Sequence, residues 1–171
     1  MMVEKIKKFH EYLDYIEEHY TNVQIAWALI NKKCRGNHFR FMYDDFVWHT
    51  IAAAVKDHDL SKLSAEEFTQ YRQFFFPCEG EKKDKDLFVR AWAHHKKKNS
   101  HHWENWTKNQ ADDHYADAYL VLMVIDWVAM GFKCGDTAQE YYEKNKGEMK
   151  LPKWAIKLMY EIFSCVYQNQ Q

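Results

Sequence analysis

Apolar residues recur at spacings of three and four along the first thirty positions: Val3, Ile6, Phe9, Leu13, Ile16, Tyr20, Val23, Trp27 and Ile30. That period lines one face of a helix, so residues 3–33 are read as one long helix or two in line. A helix with such a stripe needs other helices to cover it. The rest of the chain offers few alternatives, because 171 residues contain only 5 Gly and 2 Pro, which disfavours turn-rich β folds.

The remaining segments also read as helices joined by short breaks. Residues 34–43 form a loop, and Asp44 or Asp45 caps a helix through DDFVWHTIAAAVK. Ser64-Ala65-Glu66-Glu67 has the form of a capping box opening a helix that Pro77 stops. Residues 83–98 make a helix ending in Lys96, Lys97 and Lys98, cations that suit the negative end of its dipole. Asn99-Ser100 breaks it. Residues 110–130 form the most apolar helix, with Gly131 as its C-cap. Thr137-Ala138-Gln139-Glu140 is a second capping box, and Pro152 fits the first turn of a last helix, Lys153 to about Tyr167. The expected fold is all-α: a single globular helical domain over residues 1–171, with about seven helices and a frayed tail at 168–171.

Composition narrows the function classes. With 24 basic against 25 acidic side chains the net charge is -1, which gives no field for polymeric nucleic acid or a polybasic membrane contact. No apolar stretch is expected to reach the roughly 20 residues of a membrane span. The N-terminal segment lacks a signal-peptide apolar region. The four cysteines, Cys34, Cys78, Cys134 and Cys165, stand singly and read as reduced thiols, so the expected location is cytoplasmic.

Chemistry concentrates at three places. His58-Asp59 closes the alanine-rich helix, and an imidazole nitrogen beside a carboxylate oxygen suits Mn, Fe, Co, Ni or Zn. Asp126 sits inside VLMVIDWVAM, flanked by apolar residues. Burying it unpaired costs several kcal/mol, so it needs a metal, a cation or strong donors. AWAHHKKKNSHHW holds His94, His95, His101 and His102 within nine residues, a metal or phosphate site rather than a solvated stretch. His19 shares a helix face with Val23 and Trp27 and so points to the core. His10, nine residues earlier, turns outward. His49 and His58 lie on opposite faces of one helix, so His49 is read as a packed histidine away from any shared metal. His38 and His114 are expected on the surface.

The order His19…His58-Asp59…Asp126 resembles the H…HD…D ligand order of the HD-domain superfamily of metal-dependent phosphohydrolases. Within it the chain is similar to a small bacterial and phage family. The shared marks read here as His19-Tyr-Thr-Asn22-Val23, His58-Asp59-Leu-Ser61-Lys62, Glu66-Glu67-Phe68-Thr-Gln-Tyr71, Ala91-Trp92 through His102, and Asp126. They span about residues 15–130.

By this resemblance His19, His58, Asp59 and Asp126 hold one divalent transition metal. His95, His101 and His102 resemble the additional histidines of dinuclear HD proteins such as the HD-GYP phosphodiesterases and di-iron HD oxygenases, where Asp59 would bridge two metals. No GYP follows His101-His102 here, and the spacing of the extra histidines is shorter. These histidines are alternatively phosphate ligands or proton donors. The implied activity is hydrolysis of a nucleotide or other small phosphoester. Asp59, Lys62 and His95 would be catalytic, and Lys62, Arg90, His101 and His102 would bind substrate. Lys96–Lys98 are read either as further phosphate contacts or as a solvated face. Trp92, Trp103, Trp106 and Tyr71 could stack a base, but most are expected in the core. The alternatives are an HD-type di-iron oxygenase, a non-catalytic nucleotide-binding module, or a helical scaffold with incidental histidines. A homodimer through the last helix stays open.

Overall fold

The computed structural model describes residues 2–107 and 113–167, with Asp113 and His114 described by backbone only. Among the described residues there are eight α-helices, two short 3-10 turns and no strand. The helices are α1 (Met2–Lys33), α2 (Asp45–Lys56), α3 (Phe68–Phe75), α4 (Lys85–Lys98), α5 (Trp103–Trp106), α6 (Asp113–Cys134), α7 (Ala138–Asn145) and α8 (Lys153–Tyr167). The 3-10 turns cover Arg40–Met42, inside the segment read as loop, and Leu60–Leu63. The all-α expectation holds. The expected fraying of residues 168–171, residues 110–112 of the apolar helix, and the surface placement of the His114 side chain lie outside the described residues.

The chain forms two compact units interleaved along the sequence. The first takes residues up to Thr21 and Asp59–Asn99. It contains the first part of α1, the Leu60–Leu63 turn, α3 and α4. Its core is aromatic: Tyr12, Tyr71 and Ala91 are buried, with Tyr15, Ile16, Phe68, Phe76 and Phe88 packed on them. The fully buried Arg72 guanidinium ties down the segment after α3, forking onto Glu81 at 2.5 and 2.6 Å and donating to the Phe76 carbonyl.

The second unit takes Asn22–His58 and the residues from Ser100 onward. Its centre is α6, where Leu120 through Ile125 are each at most 2% exposed. A helix apolar on every side must be covered on every side. Here α2, α5, α7 and α8 all pack on it, and Val23, Ala26, Trp27 and Ile30 of α1 belong to the same core.

Several local readings need correction. α6 carries a 20-residue stretch, Tyr115–Cys134, long and apolar enough to cross a membrane, which the sequence reading did not expect. It is mostly buried within the protein, as a core helix is. The helix runs through Gly131 and ends at Cys134, just before Gly135, whose φ of +79° is the left-handed C-terminal conformation. Gly131 serves close approach instead: a Cβ there would lie 2.3 Å from the Asp136 carbonyl oxygen. Glu67, read as half of a capping box, makes no side-chain cap bond, because both its oxygens face histidines. Along α1 the apolar stripe is only partly core: Val3, Ile6, Leu13 and Tyr20 are exposed, and the buried line runs through Tyr12, His19, Val23, Ala26 and Ile30. His49 is exposed rather than packed, lying edge-on to Trp48. The Thr137–Glu140 capping box forms as read, and Asp44 caps α2 by accepting from Phe46 and Val47 N–H.

Candidate metal centre

In the first unit the site is built around Asp59. Its backbone sits at φ 57°, and among the described residues it is the one non-glycine with positive φ. Aspartate tolerates this region better than most residues, and such conformations cluster at functional sites. The strained residue opens the Leu60–Leu63 turn, which swings Lys62 back onto it. The Lys62 Nζ lies 2.7 Å from Asp59 Oδ2 and over the Tyr15 ring at 5.4 Å. Lysine is only 6% exposed here, an unusual place for an ammonium, and the carboxylate offsets its desolvation.

Each Asp59 oxygen also meets an imidazole. His19, from α1, brings Nε2 to 3.3 Å from Oδ2. His95, from α4, brings Nε2 to 3.2 Å from Oδ1. Tyr15, one turn before His19, stacks on its ring, while Trp92 stacks on His95 and Tyr71 meets His95 edge-on. Behind His95 stands Glu67, fully buried. Its Oε2 lies 2.8 Å from His95 Nδ1 and its Oε1 lies 2.7 Å from His94 Nδ1. Burial alone would lower the basicity of His95, but hydrogen bonds to Asp59 and Glu67 outweigh it and raise its pKa. Glu67 responds in the opposite sense: burial opposes its charge, yet His95 and His94 hold its pKa below the ordinary range. Burial, followed by the charge of Glu67, pushes the Tyr71 phenol well up, so it stays neutral.

In the second unit His58 follows α2, and its backbone N–H reaches the Val55 carbonyl. Its Nε2 stands 3.3 Å from Asp126 Oδ1, with the His58 side chain 1% and the Asp126 side chain 16% exposed. The His58 ring stacks on His101 at 4.4 Å, and His101 lies against His102 at 4.2 Å. His102 immediately precedes α5, so the chain does break after α4 as Asn99-Ser100 suggested.

The donor chemistry fits a metal. Histidine nitrogen and carboxylate oxygen, each bound about 2.1 Å from one ion, stand about 3.0–3.4 Å apart for octahedral to tetrahedral angles. The His19–Asp59, His95–Asp59 and His58–Asp126 spacings all fall in that range. A charge-assisted hydrogen bond of the same groups would be shorter, about 2.7–2.9 Å, as the Glu67 contacts are. Buried histidine and aspartate groups in this chain can therefore hold a metal ion.

Not every expected residue joins these clusters. Arg90 is exposed on α4, as are Lys97 and Lys98, whereas Lys96 lies over Trp92. Trp106 is core in the second unit with Trp103 packed against that core, and Tyr71 is core in the first. The sequence reading missed the role of Glu67. The one signal in the sequence was the adjacent His94-His95 pair, which needs acceptors, and it did not point to Glu67 over other acidic residues.

No curated protein and no solved structure gives a significant match to the chain. The DUF5662 family matches residues 8–164, nearly the whole length. The chain belongs to DUF5662, a family of unknown function.

Proposed function

We propose that this protein is a metal-dependent phosphohydrolase of the HD type, acting on a nucleotide or another small phosphoester. The observation that carries the reading is the spacing of 3.3 Å between buried histidine Nε2 and carboxylate oxygen at His19–Asp59 and at His58–Asp126, the residues that the H…HD…D order picks out, with His95–Asp59 close to it at 3.2 Å. His19, His58, Asp59 and Asp126 would hold the ion. When bound, a divalent ion lowers the pKa of a coordinated water toward about 7 and polarises a phosphoryl oxygen.

The chain's own residues supply the rest. Lys62 Nζ, held beside Asp59, offers a point charge to a phosphoryl oxygen. Carboxylates at both ring nitrogens raise the basicity of His95, and its protonated form would give an Nε2 proton to the leaving alkoxide. Tyr15 stacked on His19 and Trp92 stacked on His95 hold the two rings in place.

The test is a screen of nucleoside monophosphates, triphosphates and cyclic dinucleotides with Mn, Co and Mg, alongside the bound metal content. Metal-dependent release of phosphate or nucleoside is the expected result. No release with any metal, from protein that also purifies metal-free, contradicts the proposal. A second reading, a di-iron oxygenase, draws support from Asp59 offering one oxygen toward His19 and the other toward His95, as a bridging carboxylate would. Two irons per chain together with oxygen consumption would favour it.

A further inference from the structure

Among the described residues Glu67 is the one carboxylate whose residue is fully buried, at 0% exposure. A carboxylate taken wholly out of water is costly unless strong donors satisfy it. Its position just before α3 invites a capping role, but it makes no cap bond to the helix. Both oxygens are committed to imidazoles instead, Oε1 to His94 Nδ1 at 2.7 Å and Oε2 to His95 Nδ1 at 2.8 Å.

The neighbours of His95 decide which nitrogen carries the hydrogen. Asn99 approaches Nδ1 at 3.1 Å, but its amide nitrogen has two hydrogens, and shorter contacts claim both. One goes to Ser61 Oγ and the other to the His95 carbonyl, each at 2.8 Å. Ser61 Oγ stands farther from Nδ1, at 3.3 Å, and its hydroxyl hydrogen-bonds Glu67. That leaves Glu67, at 2.8 Å, as the partner of Nδ1, and a carboxylate can only accept. Asp59 Oδ1 is a carboxylate oxygen too, but it stands 3.2 Å from Nε2 against 2.8 Å for Glu67 and Nδ1, so in the neutral ring Nδ1 is the N–H and Nε2 is the nitrogen left facing Asp59. Histidines that hold metals or move protons commonly have their other nitrogen fixed by a carboxylate in this way, and removing that partner typically costs about 10–100-fold in metal affinity or activity.

We propose that Glu67 is a positioning residue: by accepting Nδ1–H from His95 and from His94, it fixes the His95 ring and turns its Nε2 toward Asp59. Its effect on activity rests on the phosphohydrolase reading, whereas its effect on the ring does not. Two measurements keep the two apart. Long-range proton–nitrogen NMR of the zinc-loaded and metal-free wild type, at a pH where the imidazoles are neutral, assigns the His95 tautomer without any variant. Hydrogen on Nδ1 is expected in both forms, and hydrogen on Nε2 overturns the proposal. The second measurement uses Glu67→Gln, which keeps the shape but has one accepting oxygen for two donors. In it, at least one of His94 and His95 should lose the Nδ1–H signature, while circular dichroism stays helical. If phosphoester turnover exists, kcat should fall about 10–100-fold with KM little changed. An unchanged tautomer at both histidines in Glu67→Gln overturns the proposal even if activity falls. If wild type hydrolyses nothing but carries the Nδ1–H, the positioning role stands and the hydrolase reading does not.

Discussion

Asp59 occupies a backbone conformation that costs an ordinary residue about 1–3 kcal/mol, and its side chain answers to Lys62, His19 and His95 at once. Removing the carboxylate strands a buried ammonium. Asp59→Ala is expected to destabilise by about 3–5 kcal/mol in urea titrations. Lys62→Met, which keeps the stem and removes the charge, should restore part of that loss when added to Asp59→Ala. A double variant no more stable than Asp59→Ala would show that Lys62 is not stabilised through this pair. A second residue-scale prediction concerns Glu81. The hydrogen bonds from Arg72, chiefly, hold its pKa at about 2, against 4.5 ordinarily. A carboxylate whose folded pKa lies below its unfolded one contributes stability above pH 4.5 and loses it as pH falls toward 2. Glu81→Gln should therefore cost about 2 kcal/mol at pH 7 and flatten the fall of stability between pH 5 and pH 2. Parallel curves for variant and wild type would count against the Arg72–Glu81 pair as the cause.

At the scale of elements, two glycines four residues apart do different work. At Gly131 a Cβ collides with the Asp136 carbonyl, so Gly131→Ala should cost about 1–3 kcal/mol through displaced backbone. Gly135 has open space but a φ of +79°, so Gly135→Ala should cost about 1–2 kcal/mol through conformation alone. Thermal melts order the two, and a harmless Gly131→Ala would mean that the turn after α6 can shift freely. The sequence marked Gly131 as the helix end because a glycine follows the apolar run, but spacing cannot reveal which glycine meets a neighbouring carbonyl. Caps were more legible. Thr137 and Asp44 show their roles in sequence because capping is local, whereas Glu67 was misread because its partners lie 27 and 28 residues away. The half-exposed stripe of α1 has the same origin: period alone says that a face is apolar, not how much of it finds cover.

For the whole molecule, helical period and scarcity of breakers made the all-α class readable, and the burial of His19 followed from the face it shares with Val23 and Trp27. The H…HD…D order grouped His19, His58, Asp59 and Asp126 but did not say which stands beside which; that His58 meets Asp126 and His19 meets Asp59 is set by packing between segments far apart in sequence. The enclosure of Lys62 and the solvent exposure of Arg90 were not legible either, since both look alike as cations in a polar segment. A bound ion adds its binding free energy to folding, so chelation should lower the melting temperature. The most direct measurement is metal content by elemental analysis of the purified protein and of His19→Ala and Asp126→Ala after equal exposure to Mn, Fe, Co, Ni and Zn. At least one ion per wild-type chain, and the loss of a whole equivalent in each variant, is the result expected if these residues hold one ion together. Metal-free wild type, or variants that retain its full content, would contradict the account.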